Sequence, residues 1–302
     1  MRRRAKIILL AVGILVLVLV ATVVTLIVRH GTTTAGPECQ VPAHGNTAAV
    51  ELDAAQLQHA ATISAVGLSR GLPQRARTIA IATALQESGL RNLDHGDRDS
   101  LGLFQQRPSQ GWGTTVQIMD PVYASGRFYD ALVKVPNWRT KPLTQAAQAV
   151  QFSGFPDAYA KWETEAMALA VALGGTMPPA LDCRAGAVAS TADSPVRVAP
   201  AGTETATAGL RTLLAAANAE LGGIRVAQVA AGGRSASITI AVRGLTATAA
   251  GRALAAWMVA HATGFGIAGV RIDDRSYTGH AWSGRPAGIP PLAAGTVAVT
   301  VD

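Results

Sequence analysis

The apolar positions of the chain fall into three regimes. From Ile7 to Val28 they form an unbroken run of 22 residues with nothing more polar than Gly13, Thr22 and Thr25. A helix of that length, at 1.5 Å per residue, just crosses a hydrocarbon core of about 30 Å. Residues 46–182 then read as mostly helical. Asp53 is a candidate N-cap for a helix to Ser69, with Gly71 beyond its end. Pro73 suits the first turn of a second helix, which runs to Ser88 and stops at Gly89. Ile79, Ile81, Ala82, Ala84 and Leu85 give that helix a broad apolar face, so it is predicted to be buried. Arg91 to Trp112 is loop-like, with a short hairpin expected near 92–104, and helices are predicted at 121–134, 143–152 and 158–173.

The grammar changes after a stretch of Ala, Thr, Ser, Gly and Pro at 185–209, which reads as a flexible linker. Helices are predicted at 210–221 and 246–262. Strands are expected at Ile224–Val229, around 236–242, at Ile267–Ile272, at Ser276–Trp282 and at Thr296–Val301. The expected organisation is therefore an anchor at 1–30, a linker at 31–45, a mainly α domain at 46–183, a linker at 184–209 and a small α+β domain at 210–302. A length of 302 residues with 49% hydrophobic and 15% charged residues excludes a disordered chain and fits about two domains.

Charge changes the picture once it is placed. The net charge of +7 suggests a polyanionic partner at first sight. Yet five of the 26 basic residues, Arg2, Arg3, Arg4, Lys6 and Arg29, flank the apolar run, leaving 21 against 19 acids. No zinc-finger spacing or aromatic-interleaved basic stripe is present, so no nucleic-acid partner is expected. The basic flank instead puts the N-terminus in the cytoplasm and the rest of the chain outside, as a single-pass membrane protein. A cleaved signal peptide is the competing reading. Its apolar region would be about 7–15 residues with a small-x-small site, and Thr22–Val28 offers none. Cys39 and Cys183, the two cysteines of the chain, bracket the first domain on the oxidising side, where a disulfide would close its neck; two unpaired thiols are the alternative. The six histidines show no ligand spacing, and neither metal nor cofactor is expected.

The candidate chemistry sits at the end of the second helix. Glu87 follows a buried apolar run, where a carboxyl holds its proton more tightly than in water and suits general acid work; a solvated, frayed helix end is the bland reading. Glu87-Ser88, followed by Gly102-Leu103-Phe104-Gln105 ending 18 residues after the glutamate, resembles the paired motifs of soluble lytic transglycosylases and goose-type lysozymes. The resemblance covers roughly residues 50–175. It implies a lysozyme-like helical fold, with Glu87 as catalytic acid, Ser88 supporting it, and Phe104 and Gln105 lining a cleft for peptidoglycan glycan strands. The family's third motif, Ala-Tyr-Asn, meets Ala149-Val150-Gln151 here, without the tyrosine; Gln151 or the nearby Tyr159 would have to supply that group.

Among the aspartates of the intervening loop, Asp97 and Asp99 are candidates for a second carboxylate, against a reading as a solvated turn with Asp94. Trp112, between Gly111 and Gly113, is the aromatic best placed to stack on a sugar. The C-terminal module, at 10 basic against six acidic residues over 183–302, carries no evident constellation. A non-catalytic wall-binding or scaffolding protein is the rival function, with 210–302 engaging a wall peptidase or secretion apparatus.

Overall fold

A computed structural model describes residues 39–45, 47, 49–152, 157–183, 202–279 and 281–302. The expected span at 7–28 and most of the two expected linkers lie outside these residues. Among the described residues no helix is long and apolar enough to cross a membrane. The fold is mixed α and β.

Asp53 does cap the first helix, α1 (Ala54–Ser69), in a reciprocal box: its carboxylate accepts from the Gln56 N–H at 2.8 Å, and the Gln56 side chain accepts from the Asp53 N–H at 3.0 Å. The second helix, α2 (Gln74–Ser88), ends where Gly89 turns left-handed at φ 61°. Then come α3 (Thr115–Ile118), α4 (Pro121–Leu132), α5 (Leu143–Gln151) and α6 (Glu163–Ala172), with single 3-10 turns at Pro108–Gln110 and Ala160–Trp162. No hairpin forms near 92–104; the loop there closes through one isolated bridge, Leu101 to Gln106.

Three short strands, β1 (Cys39–Val41), β2 (Val50–Leu52) and β3 (Asp182–Cys183), form an antiparallel sheet in the order β2-β1-β3. β1 thus falls inside the stretch predicted as linker. Two or three residues are too few to display a period of two, which is why no strand was expected here. Cys39 lies directly opposite Cys183 in the register, and the two form a disulfide. The expected neck is closed.

Residues 208–302 build α7 (Ala208–Leu221), β4 (Ile224–Val229), β5 (Ser235–Ile240), α8 (Ala247–Ala260), α9 (Ala262–Phe265), β6 (Ile267–Ile272), β7 (Arg275–Tyr277), β8 (Trp282–Gly284) and β9 (Thr296–Val301). The expected strand at 276–282 is in fact two, β7 and β8, paired with each other. The sheet order is β4-β5-β9-β6-β7-β8, antiparallel throughout. Ile238, Val270, Ile272, Val297 and Val299 alternate inward beneath α8.

The two stretches predicted as separate domains share one continuous core. The reason is α1, which is buried almost all round. It packs against α2 and α4 on the helical side and against α7 and α8 on the other. A helix apolar on every face belongs between two layers. Side chains also cross: the Tyr277 hydroxyl donates to the Cys183 carbonyl at 3.2 Å, and Arg275 donates to the Pro179 carbonyl at 2.7 Å.

Candidate active site

Helix α2 carries buried Ala76 to Leu85 and then surfaces, so Gln86, Glu87 and Ser88 are half-buried at its last turn. The Leu90 N–H reaches back to the Ala84 carbonyl at 3.1 Å, which tightens this end. Against it lies the 3-10 turn Ala160–Trp162. Tyr159, fully buried, donates its hydroxyl to Glu87 Oε1 at 2.7 Å. Trp162 Nε1 donates to Gln86 Oε1 at 3.0 Å. Of the two residues considered for the missing tyrosine, Tyr159 is the one that touches Glu87. Trp162 was not foreseen; its signal in the sequence is an aromatic three positions after Tyr159, one 3-10 turn on.

Gln151 does something else. Its amide donates to the Phe104 carbonyl at 2.8 Å, while the Ser88 hydroxyl donates to the neighbouring Leu103 carbonyl at 2.8 Å. Ser88 and Gln151 thus hold the Gly102–Gln105 turn from opposite sides, α2 and α5. Gly102 sits at φ 75° with no room for a Cβ, which would stand 2.8 Å from the Ile118 carbonyl. Phe104 was expected in the cleft. Its ring is instead fully buried and stacks on Phe128 at 4.7 Å, so it anchors the turn from within. Gln105, at φ 48°, is half-buried and its amide reaches the carbonyls of His95 and Gly102, both at 3.3 Å.

The aspartates of the loop have other partners. Asp99 accepts from Arg107 Nε at 2.7 Å and from the Ser109 N–H at 2.8 Å, where it holds the Pro108–Gln110 turn; the Arg107 guanidinium, with Ser109, keeps its carboxyl well below the usual range. Asp97 stands in solvent beside Arg98 at 4.0 Å. Asp94 pairs with His95 at 2.7 Å. None of the three shares a hydrogen bond with Glu87 among the described residues. Trp112 is half-buried and lines a groove of about 520 Å3 with residues of α4 and α5. No group of three or more metal-ligating side chains occurs among the described residues.

The arrangement sets the Glu87 carboxyl, one oxygen of which is fixed by a phenol, beside a turn whose backbone is clamped on two sides. It can give and take a proton at a defined position. Against models of protein families the chain matches none, and a search of curated proteins likewise returns no match.

Proposed function

We propose that this chain is a peptidoglycan glycan-strand cleaving enzyme of the lytic transglycosylase type, held at the outer face of the cell membrane by residues 7–28, with Glu87 as general acid and base. The observation that carries the reading is the hydrogen bond from buried Tyr159 to Glu87 Oε1 at 2.7 Å, on the last turn of a buried helix. It restores, from another point in the chain, the tyrosine lacking from the third motif. With Oε1 held by Tyr159, Oε2 is the oxygen assigned to the proton transfers. As acid, Glu87 gives its proton to the glycosidic oxygen while the bond to C1 breaks. As carboxylate, it then takes the proton of the muramic C6 hydroxyl while that oxygen attacks C1, leaving a 1,6-anhydro ring and consuming no water.

A hydrolase would need a second carboxylate about 5–9.5 Å away as nucleophile or base. Asp99 is committed to Arg107 and Ser109, and Asp97 to solvent, which favours the one-carboxylate reaction. The test is product analysis. Purified full-length chain incubated with peptidoglycan sacculi is expected to release anhydro-ended fragments. Reducing ends would make it a hydrolase, and sacculi bound with nothing released would make it the scaffolding protein.

A further inference from the structure

The chain just beyond Glu87 is held in a conformation that the Tyr159 bond leaves unexplained. Gly89 is left-handed at φ 61°, the ordinary glycine stop of a helix, but Leu90 after it is left-handed as well, at φ 60°. A single left-handed residue ends many helices; a second one carrying a bulky side chain is an outlier. Such backbone persists only where its surroundings over-determine it. Here the surroundings are the head of α1. Asp53, Gln56 and His59 are spaced by three, so they share one face, and each takes one residue of the turn. Gln56 Nε2 donates to the Gly89 carbonyl at 2.9 Å, His59 Nδ1 donates to the Leu90 carbonyl at 2.7 Å, and Arg91 Nη2 donates to Asp53 Oδ2 at 2.5 Å. Asp53 Oδ1 and Gln56 Oε1 meanwhile close the capping box of α1 itself, so the head of that helix is fixed where it grips. The gripped turn joins the two motifs of the site. The Arg91 N–H donates to the Ser88 carbonyl at 3.2 Å, and the Leu93 carbonyl accepts from the Gly102 N–H at 2.7 Å. Were Leu90 to relax to extended backbone, its N–H would leave the Ala84 carbonyl and the last turn of α2 would lose that tie.

We propose that Gln56 and His59 are positioning residues for Glu87, which they hold at its working place by gripping the carbonyls of Gly89 and Leu90. They act through the backbone and not on the substrate. This rests on the glycan-cleaving reading of Glu87 and adds to it a second support, from α1, beside the one that Tyr159 gives from the turn before α6.

The test compares the full-length chain with three variants. His59→Leu removes the donor to Leu90, whereas His59→Gln supplies an amide donor in its place. Gln56→Glu keeps an oxygen for the capping box and replaces the donor to Gly89 by a carboxylate oxygen. On peptidoglycan sacculi, His59→Leu and Gln56→Glu should each lower kcat at least about tenfold with KM within about twofold, as a displaced acid does, and His59→Gln should recover kcat to within about threefold. The same proteins, labelled with carbon-13 at the glutamate carboxyls, give a readout that needs no turnover. The Glu87 resonance, identified by its absence from Glu87→Gln, should move in His59→Leu and return in His59→Gln. An unmoved resonance in His59→Leu, or kcat lost equally in His59→Leu and His59→Gln, would overturn the proposal. Cleavage at the parental kcat by both His59→Leu and Gln56→Glu would also overturn it and leave the enzymatic reading standing. No cleavage by the parent would remove the enzymatic reading, and the resonance alone would then decide whether α1 positions Glu87.

Discussion

Tyr159 decides how Glu87 presents itself. The phenol is buried and spends its hydroxyl on one carboxylate oxygen, so Tyr159→Phe removes an orienting bond and little volume. Hydrogen bonds to charged groups contribute about 1.5–3 kcal/mol. If the bond is fully used in the transition state, kcat should fall at least about tenfold with KM nearly constant, measured as product release from sacculi. An unchanged kcat would make Tyr159 a core residue only. His59 provides a residue-scale test independent of activity. Its Nδ1 lies 2.7 Å from the Leu90 carbonyl, so that nitrogen carries the hydrogen and donates. Burial foremost lowers its pKa from 6.5, with Arg91 adding and the Leu90 carbonyl and Asp53 opposing. The folded chain thus resists a proton that the unfolded chain accepts near pH 6.5. The stability concerned is complete above that pH and is lost as the pH falls below it. Melting temperature should drop from about pH 7.5 to about pH 5.5, and the drop should shrink in His59→Gln. Parallel curves would contradict this.

At the scale of elements, α1 and α2 meet without spare space. A Cβ on Gly67 of α1 would lie 2.7 Å from Arg77 Cγ and 2.8 Å from the Tyr129 hydroxyl. Arg77 is itself buried, donating to the Ala170 carbonyl near the end of α6 at 2.6 Å and to the Ser64 hydroxyl at 3.0 Å. Gly67→Ala should therefore cost about 1–3 kcal/mol by overpacking, read from chemical denaturation. These helices were legible in the sequence because they carry their own punctuation: Asp53, Gly71 and Gly89 mark the ends, and apolar runs fill the interiors. The Glu87-Ser88 and Gly102–Gln105 motifs meet at the end of α2, where Ser88 donates to the Leu103 carbonyl. Partners brought by tertiary packing were harder to see. The Phe104 ring turned inward because its place beside Phe128 is set by α4, and Trp162 met Gln86 across 76 residues. β1, β2 and β3 were invisible because they exist through pairing and a disulfide, with too few residues for a pattern.

At the scale of the molecule, the helical layer and the six-stranded module meet through α1 and through the turn after α6. Gly175 in that turn sits at φ 73°, and a Cβ there would stand 1.9 Å from the Ala249 carbonyl of α8. Gly175→Ala should destabilise both parts together, by roughly 3 kcal/mol or more, in one cooperative transition. Two resolved transitions would mean that the layers fold apart. The composition of α1 argues for one transition, since either layer alone leaves an apolar helix face in water. The Cys39–Cys183 bond closes a loop with a sequence separation of 144 residues. Reduction should cost up to about 4–5 kcal/mol through the unfolded state. Around that frame, the proposed chemistry depends on one carboxyl. The most direct test incubates sacculi with the full-length chain and with Glu87→Gln, and resolves the soluble products by mass spectrometry. Anhydro-ended fragments should come from the parent and none from Glu87→Gln, with equal melting temperatures for the two proteins. Equal release by both, or none by the parent, would contradict the assignment of Glu87.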